Sequence, residues 1–473
     1  MKQINKIIAL FVLVAMLFAY IPANVSADSS VRTRYALVVD GSDRGNINGI
    51  DVNYEDNLLL SVKGIARALR DTGKAFSVSI DGDEINVAKG VSFDSDVPAW
   101  TEEELHERPK WKFQRTKFYE DGVERKYFST IGSSDGVTDV YMSPLRLAMM
   151  LDVNIVVDEG QVSIDTSRGF GISDVELENS GYLQGVNSFL IGNGTTEEVY
   201  YDYDGDEVVP IASTTKLMTY YVLMDAISNG EVSIEDNVSI SENAVSLSEG
   251  IDGLVSFEGT PTVPMRELIK AMLLSSSNEC ALALAEHVSG TESSFVERMN
   301  EKAKQLGMEE AVFYNCNGLP RYEKQLLPAK MQNRMTARNM FTLVSNLVED
   351  YPEIIDITSS LVENLDTLGY VSKNTNALLY NMDGVKGLKT GTTNKSGACL
   401  VTLLPQDKDG ITNNLICVLF GAEGELDRAM VAELGLRIAV DKLDGTEIVT
   451  EEKYEITPDN PELDVQRMLR NLP

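Results

Sequence analysis

The stretch that most constrains this chain is a long apolar run that opens with a serine and a lysine three residues apart. Ser213 and Lys216 lead into residues 217–224, which are almost entirely apolar, and Asn229-Gly230 supplies a C-terminal stop. We therefore predict a helix that begins near Ser213. Positions i and i+3 of a helix share a face, so Ser213 and Lys216 could exchange a proton. A serine N-cap followed by a surface lysine is the commoner interpretation of an isolated Ser-x-x-Lys.

Length and charge limit the classes of protein that this chain can belong to. Its 473 residues are too many for one compact core, which predicts two or three domains. Acidic residues outnumber basic residues by 73 to 41, and the formal net charge is -32. Because nucleic acids and anionic membranes attract positive charge, this balance argues against both as partners.

The first residues predict an export signal. Lys2 and Lys6 form a positively charged start, residues 7–20 are almost unbroken apolar, and residues 25–27 offer small side chains for cleavage. The apolar part is short for a membrane span, which favours a removed signal peptide over an anchor. We expect the mature chain to be secreted, and either soluble or held at the cell envelope by protein contacts.

A weak internal repeat follows the signal. Residues 59–69 are echoed by residues 141–151, and each segment precedes two alternating strand candidates with a turn between them. A short helix followed by a hairpin, twice, predicts a small α+β domain. The pattern resembles the N-terminal repeat domain of copper amine oxidases, which also occurs as a stalk module in secreted cell-wall proteins. No histidine cluster accompanies the repeat in the sequence, so no copper is implied, and contact with the cell wall is a possible role.

The pattern of predicted strands and helices changes at Ser188. Strand candidates at 188–191 and 199–203 and around Lys389 enclose several helical segments, which predicts an antiparallel sheet packed with helices and a helical insertion. The predicted organisation is a signal peptide (1–27), an N-terminal α+β stalk-like domain (28–170), a linker (171–185), a catalytic domain (186–445) and an acidic tail (446–473).

The four cysteines carry no Cys-x-x-Cys spacing for zinc. Cys399 and Cys417 lie in two apolar runs joined by a polar turn. If these runs form a hairpin, the two cysteines are near cross-strand partners and could form a disulfide. Buried free thiols are the favoured alternative, because both strands look internal.

The chain has few groups that could activate a serine nucleophile. His106 falls in a charged connector and His287 ends a helix, so neither context suits a Ser-His-Asp mechanism. The base would therefore be a lysine or a carboxylate. A lysine base must be buried or lie beside a second cation, which Lys389 in a Lys-Thr-Gly strand edge could supply. In Ser276-Ser277-Asn278, the asparagine could simply cap the following helix.

Three motifs in this order carry a resemblance to a known family. Ser213-x-x-Lys216, Ser276-x-Asn278 and Lys389-Thr390-Gly391 are similar to the signature of penicillin-binding proteins and serine β-lactamases. Their flanks, over roughly residues 185–445, resemble the low-molecular-mass D-alanyl-D-alanine carboxypeptidases. The resemblance implies a β-lactamase/transpeptidase-like fold, in which a five-stranded antiparallel sheet packs with helices beside a helical subdomain.

The resemblance also implies a reaction and a substrate. Ser213 would attack the penultimate D-alanine of a peptidoglycan pentapeptide that ends in D-Ala-D-Ala and form an acyl-enzyme. Lys216 would take the serine proton, and Ser276 would relay a proton to the leaving D-alanine. β-Lactam antibiotics would acylate the same serine as covalent inhibitors. No cofactor and no metal are implied.

The remaining motif residues would bind the substrate. Asn278 would orient its backbone, Lys389 would attract its carboxylate and lower the pKa of Lys216, and Thr390 would hydrogen-bond that carboxylate. Gly391 belongs to the same strand, and the backbone N–H of Thr392 would complete an oxyanion hole with that of Ser213.

Some positions depart from the family pattern, and other functions remain open. Thr375 stands where some relatives have an arginine, which puts one carboxylate contact in doubt. A β-lactamase would need a deacylating Glu-x-x-Leu-Asn loop, which the sequence lacks. A D,D-endopeptidase that acts on cross-links uses the same residues. A non-catalytic wall-binding protein with a retained peptidase fold is a further alternative.

Overall fold

A computed structural model describes most of the chain, namely residues 30–52, 58–106, 116–127, 129–134, 137–158, 160–179, 182–250, 253–322, 325–326 and 331–446. The predicted signal peptide and all but the first residue of the predicted tail lie outside the described residues. The chain divides into two compact units. Of the described residues, the first unit comprises those up to Gly171 together with Asn179, and the second comprises residues 172–178 and those from Tyr182 on.

The N-terminal unit is built from short strands and helices. Its strands are β1 (Ser30–Val39), β2 (Ser42–Val52), β3 (Leu58–Ser61), β4 (Phe76–Asp81), β5 (Glu84–Lys89), β6 (Lys117–Glu120), β7 (Val123–Arg125), β8 (Thr130–Ser134), β9 (Val137–Met142), β10 (Asn154–Asp158) and β11 (Gln161–Asp165). Its helices are α1 (Val62–Leu69), α2 (Glu102–Leu105) and α3 (Pro144–Leu151). The strands form a seven-stranded sheet, β10-β11-β1-β2-β3-β9-β8, and a four-stranded sheet, β4-β5-β6-β7.

The predicted helix–hairpin repeat is confirmed. Ser61 caps α1 by accepting a hydrogen bond from the Gly64 N–H (2.8 Å), and Ser143 caps α3 by accepting one from the Arg146 N–H (3.2 Å). A hairpin follows each helix, β4–β5 after α1 and β10–β11 after α3. The strands that precede the two helices pair with each other, with Ser61 opposite Tyr141. The strands that lead into the two helices therefore share one sheet, the two hairpins belong to different sheets, and both repeats contribute to one core.

The second unit combines one larger sheet with many helices. Its strands are β12 (Ser188–Asn193), β13 (Glu198–Tyr203), β14 (Val209–Pro210), β15 (Asn237–Ser239), β16 (Thr262–Pro264), β17 (Arg321–Tyr322), β18 (Gln325–Leu326), β19 (Arg334–Met335), β20 (Val362–Leu365), β21 (Tyr370–Lys373), β22 (Lys386–Thr393), β23 (Gly397–Lys408) and β24 (Ile411–Ala422). Its helices are α4 (Asp174–Asn179), α5 (Lys216–Ser228), α6 (Glu242–Ser248), α7 (Met265–Leu274), α8 (Asn278–Ser289), α9 (Glu292–Gln305), α10 (Ala337–Asp350), α11 (Glu353–Ser359), α12 (Leu378–Asn381) and α13 (Glu425–Asp444). Helix α4 lies within the stretch predicted as a linker.

The predicted five-stranded antiparallel sheet is observed in the order β13-β12-β24-β23-β22. Helix α13 packs on one face so closely that a Cβ at Gly435 would come within 2.0 Å of Ile191. Helix α10 packs on the other face, where Phe341 leaves no room for a side chain at Gly192. The sheet therefore lies between α13 and the remaining helices, and strand β22 forms an edge that faces the start of α5.

The cross-strand pairing that the sequence allowed for Cys399 and Cys417 is not observed. Cys417 lies opposite Thr402, whereas Cys399 lies opposite Gly391 on the other neighbouring strand. A register shift between Ala398 and Leu400 contributes to this offset. All four cysteines are buried free thiols, which is the favoured alternative.

Within the described ranges, no helix is both long and apolar enough to span a membrane.

Candidate active site

Ser213 and Lys216 meet at the start of a buried helix. Residues 212–215 form a single 3₁₀ turn, and α5 continues from Lys216. Side chains at i and i+3 eclipse in a 3₁₀ turn, and Ser213 Oγ lies 3.0 Å from Lys216 Nζ. The chain thus begins this helix with a tighter turn than the sequence predicted, and the turn holds the two polar groups together.

The hydrogen-bond partners of Lys216 allow its neutral amine to accept a proton from Ser213. Its side chain is fully buried, and Nζ also lies 2.8 Å from Asn278 Oδ1 and 2.6 Å from the Asn317 carbonyl oxygen. Both of these oxygens can only accept hydrogen bonds. A neutral amine has two N–H groups and one lone pair, so the two acceptors leave the lone pair for the hydroxyl of Ser213. This geometry suits a base that takes the serine proton.

Burial disfavours the charged form of Lys216. It lowers the pKa of Lys216 from 10.5 to about 7, while the charges of Cys316, Glu279 and Cys280 act against this shift. A lysine with this pKa is neutral in a large fraction of molecules near pH 7, as a general base must be.

The Ser276–Asn278 segment connects helices α7 and α8. Ser277 caps α8 by accepting a hydrogen bond from the Cys280 N–H (3.1 Å), so the cap that the sequence allowed for Asn278 belongs to its neighbour. The Asn278 side chain instead binds Lys216. Ser276 is partly exposed and has φ of +67°, an uncommon conformation for a residue other than glycine. Within the described chain, no hydrogen bond joins Ser276 to Ser213 or Lys216.

Edge strand β22 brings the Lys-Thr-Gly motif against the serine. A Cβ added at Gly391 would lie 2.8 Å from the Ser213 backbone nitrogen and 3.0 Å from the Ala212 Cβ. A glycine is therefore needed for the strand to approach the serine turn this closely. Thr390 precedes this contact and Thr392 follows it, so the whole motif lies beside Ser213.

Lys389 is buried behind this strand and donates a hydrogen bond to the Thr390 carbonyl oxygen (2.9 Å). Burial lowers the pKa of Lys389 well below 10.5, and the positive charges of Lys216 and Arg428 lower it further. The sequence predicted that Lys389 would lower the pKa of Lys216. Burial is the main cause of the Lys216 shift, and each of the two ammonium groups disfavours the charge on the other.

Arg428 is a site residue that the sequence reasoning missed. It lies on α13, and its guanidinium donates hydrogen bonds to Thr392 Oγ1 (3.0 Å) and to the Gly391 and Thr375 carbonyl oxygens (3.4 Å each). A guanidinium stays charged in proteins. The positive charge that seemed absent at Thr375 is therefore supplied by a different element. In the sequence, the one signal for a second source of positive charge was the lack of an arginine before Asn376.

A comparison with protein families identifies this arrangement. Residues 184–424 match the model of the family described as D-alanyl-D-alanine carboxypeptidase. The chain belongs to this family. The matched residues contain all three motifs but end just before Arg428.

Individual relatives match a similar part of the chain. The D-alanyl-D-alanine carboxypeptidase DacF of Bacillus subtilis is 32% identical over 236 residues, which are 49% of this chain and 56% of that protein. A D-alanyl-D-alanine endopeptidase of Escherichia coli is 30% identical over 220 residues, 45% of this chain and 65% of that protein. The chain thus spans less than two thirds of either relative. An ampicillin-bound structure of penicillin-binding protein D2 from Listeria monocytogenes has 27% identity and a TM-score of 0.47, covering 54% of this chain and 97% of that one.

A second missed element of this carboxypeptidase-family site is the loop that contains Asn317 and Gly318. The Asn317 carbonyl binds Lys216, and a Cβ at Gly318 would lie 2.0 Å from the Ala212 oxygen and 2.9 Å from the Ser213 nitrogen. Gly318 has φ of +85°, which favours glycine as well. Gly318 and Gly391 therefore both pack against the backbone of the serine turn. The sequence placed this loop in the family segment without a role.

The family match does not extend to residues 30–170. The likeness of this unit to the stalk modules of secreted cell-wall proteins therefore stays a prediction. Within the described residues, no group of three or more His, Cys, Asp or Glu side chains is placed to hold a metal ion.

Proposed function

We propose that this protein is a serine-type D-alanyl-D-alanine carboxypeptidase that removes the terminal D-alanine from peptidoglycan stem peptides. The observation that carries the proposal is the 3.0 Å contact between Ser213 Oγ and the buried Lys216 Nζ. Family membership and the neighbouring Lys-Thr-Gly strand support it. The predicted signal peptide supports an extracytoplasmic location, where peptidoglycan is found.

The first step is acylation of Ser213. Neutral Lys216 accepts the hydroxyl proton while Oγ attacks the carbonyl carbon of the penultimate D-alanine. The backbone N–H groups of Ser213 and Thr392 stabilise the resulting oxyanion, and one such donor typically changes the rate by about 10²–10³-fold. The C–N bond then breaks, and the proton held by Lys216 passes by way of Ser276 to the leaving amino group of D-alanine.

The second step is hydrolysis of the acyl-enzyme. Lys216, neutral again, takes a proton from a water molecule as the water attacks the ester carbonyl carbon. The ester C–O bond breaks, the proton returns to Ser213 Oγ, and the shortened peptide leaves with a new carboxylate. Asn278 binds Lys216 and orients the substrate backbone in both steps.

The terminal carboxylate of the substrate binds beside β22. Thr390 donates a hydrogen bond to it, and Lys389 and Arg428 supply positive potential. Because the pKa of Lys389 is lowered, Arg428 provides the more persistent charge. This site restricts the enzyme to peptides with a free C-terminal carboxylate at the position after the cleaved bond.

Labelling with a fluorescent penicillin tests the assignment. A β-lactam presents a strained amide and a carboxylate to the same groups, so the folded protein should become covalently labelled. Ser213→Ala should abolish the label. Ser345→Ala removes an α10 hydroxyl that, within the described chain, hydrogen-bonds to the Phe341 carbonyl; it is a matched control and should label normally. An intact, folded protein that stays unlabelled would exclude the proposal and would favour a non-catalytic wall-binding protein.

A D,D-endopeptidase is the second candidate, because one of the matching relatives is described as such an enzyme. It would use the same serine and lysine on cross-linked peptides. Digestion of purified muropeptides separates the two activities. Release of D-alanine from pentapeptides indicates the carboxypeptidase, and conversion of dimers to monomers indicates the endopeptidase. Rapid turnover of nitrocefin would instead indicate a β-lactamase.

We also propose that the N-terminal unit contacts the cell wall, as the stalk-like repeat suggests. Pull-down of the full chain and of a variant lacking residues 30–170 with purified peptidoglycan sacculi tests this role. Equal binding of the two proteins would contradict it.

A further inference from the structure

Glu279 is a fully buried carboxylate directly beside a residue of the site. It follows Asn278 in the first turn of α8 and has no solvent exposure. Its Oε1 accepts hydrogen bonds from the Leu254 N–H (2.9 Å) and from the Val255 N–H. Its Oε2 is buried and has no hydrogen-bond partner among the described residues. A buried carboxylate with one unsatisfied oxygen is unfavourable for stability, so packing alone does not account for it.

The carboxylate joins two segments that are far apart in the sequence. Leu254 and Val255 lie between helices α6 and α7, and Val255 is 1% exposed. Glu279 fixes this segment to the first turn of α8, one residue from the side chain that holds Lys216. A displacement of Glu279 would therefore be passed to Asn278 and to its 2.8 Å contact with Lys216.

Glu279 also acts on Lys216 through its charge. The groups whose charges oppose the lowering of the Lys216 pKa are Cys316, Glu279 and Cys280. Burial raises the pKa of both thiols far above neutrality, and Glu292 further raises that of Cys316. The two cysteines are therefore uncharged where the enzyme works. Glu279 is therefore the one of these three groups that brings a carboxylate charge to Lys216.

We propose that Glu279 is a positioning residue for the reaction, which holds the Leu254–Val255 segment and Asn278 in place and sets the pH range in which Lys216 accepts the serine proton. The proposal rests on the proposed function, since it concerns the same serine and lysine. An ordinary structural carboxylate at the N-terminus of a helix would affect stability alone. The two roles differ in the pH dependence of acylation.

The test compares Glu279→Gln with Glu286→Gln. Glu286 lies two turns further along α8 and likewise ties a neighbouring segment, through the Ser241 hydroxyl and the Asn243 amide (2.9 Å). It does not contribute to the charge at Lys216. The second-order rate constant of penicillin acylation is measured for both variants and the wild type from pH 5 to 9.

The wild-type rate should rise with pH through about 7, as Lys216 becomes neutral. Glutamine keeps an accepting oxygen but removes the negative charge. The acidic limb of the pH–rate profile of Glu279→Gln should therefore move to lower pH by about one unit. The limb of Glu286→Gln should not move. Coincident limbs for Glu279→Gln and Glu286→Gln would overturn the inference. A wild type that is not labelled at any pH would instead exclude the proposed function.

Glu279→Asp covers the case in which the glutamine variant does not fold. Aspartate keeps the charge but is one methylene shorter, so the limb should stay near that of the wild type. The weakened tie should speed hydrogen exchange at the Leu254 and Val255 amides at least tenfold. Unchanged exchange at these two amides would contradict the positioning role.

Discussion

Each of the two units buries an ionisable side chain, and the surroundings of the two side chains differ in one respect. In the N-terminal unit, Asp139 accepts hydrogen bonds from the Ser61 hydroxyl (2.5 Å) and the Val140 N–H (2.7 Å). These groups are buried, and Ser61 also caps helix α1. In the second unit, Lys216 is equally buried, but one of its partners is the partly exposed hydroxyl of Ser213. Burial alone therefore does not identify a reactive group; contact with a group that substrate can reach does.

The two side chains also oppose each other in their dependence on pH. Burial raises the pKa of Asp139 and lowers that of Lys216, because both become harder to charge. This difference leads to predictions that separate a structural buried charge from a catalytic one.

Replacing Lys216 should slow acylation strongly, whereas replacing Asp139 should leave it nearly unchanged. Lys216→Met removes the base and should reduce the rate of penicillin acylation by at least about 10³-fold, because among the described residues only Lys216 hydrogen-bonds to Ser213 Oγ. Asp139→Asn should leave the rate within about twofold. Stopped-flow labelling measures both rates, and circular dichroism checks the fold. A Lys216→Met variant that acylates at the wild-type rate would contradict the role of Lys216 as the base.

Substitution of a glycine should likewise slow acylation in the second unit but not in the N-terminal unit. Gly391→Ala places a Cβ 2.8 Å from the Ser213 nitrogen and should reduce acylation by about 10²-fold, as the strand moves away from the serine. Gly82→Ala in the β4–β5 turn meets open space but has φ of +62°. It should lower the free energy of unfolding by about 1 kcal/mol without affecting acylation. Equal acylation rates for Gly391→Ala and the wild type would contradict the close contact as a catalytic requirement.

The charge of Arg428 should matter mainly for substrate binding. Arg428→Gln should reduce kcat/KM for a peptide ending in D-Ala-D-Ala by about 10–100-fold, chiefly through KM, since a charged hydrogen bond contributes about 1.5–3 kcal/mol. Arg437→Gln, on the same helix, breaks an ion pair with Glu433 and serves as the control. A D-alanine release assay gives both constants. An effect confined to kcat would argue against carboxylate binding by Arg428.

The stability of the two units should respond to pH with opposite signs. Between pH 7 and 10.5 the unfolded chain holds a proton on Lys216 that the folded chain has lost, so stability rises with pH by up to about 1.4 kcal/mol per unit. Asp139 does the reverse, because burial raises its pKa above the ordinary value of 3.8, so the folded state keeps the proton to higher pH and stability falls as pH rises above that value. In calorimetric unfolding, Lys216→Met should reduce the rise of stability with pH, to which buried Lys389 also contributes, and Asp139→Asn should reduce the fall. A slope that its own substitution leaves unchanged would refute that assignment.

The sequence predicted the local parts of the site well, because they depend on neighbours along the chain. The spacing of Ser213 and Lys216 brings them together in any tight helical turn. Fold class followed from strands at both ends of a helical region and from the family motifs. The helix–hairpin repeat followed from periodicity and turn residues.

The parts that the sequence did not predict depend on packing between distant segments. Arg428 reaches the Lys-Thr-Gly strand because α13 packs on the sheet, and no spacing rule connects the two. The sequence suggested Asn278 as the cap of the following helix, and only the observed start of α8 at Asn278 gives that position to Ser277. Cys399 and Cys417 failed to face each other because the register of a hairpin depends on its turn and its bulges.

The most direct test of this account is to locate the covalent adduct after a single turnover with penicillin. The account predicts that intact-mass spectrometry shows one penicillin per chain and that peptide mapping places it on Ser213. It also predicts that Lys216→Met delays the adduct without moving it. An adduct on another residue, or none on the folded wild-type protein, would contradict the claim that a buried, neutral Lys216 activates Ser213.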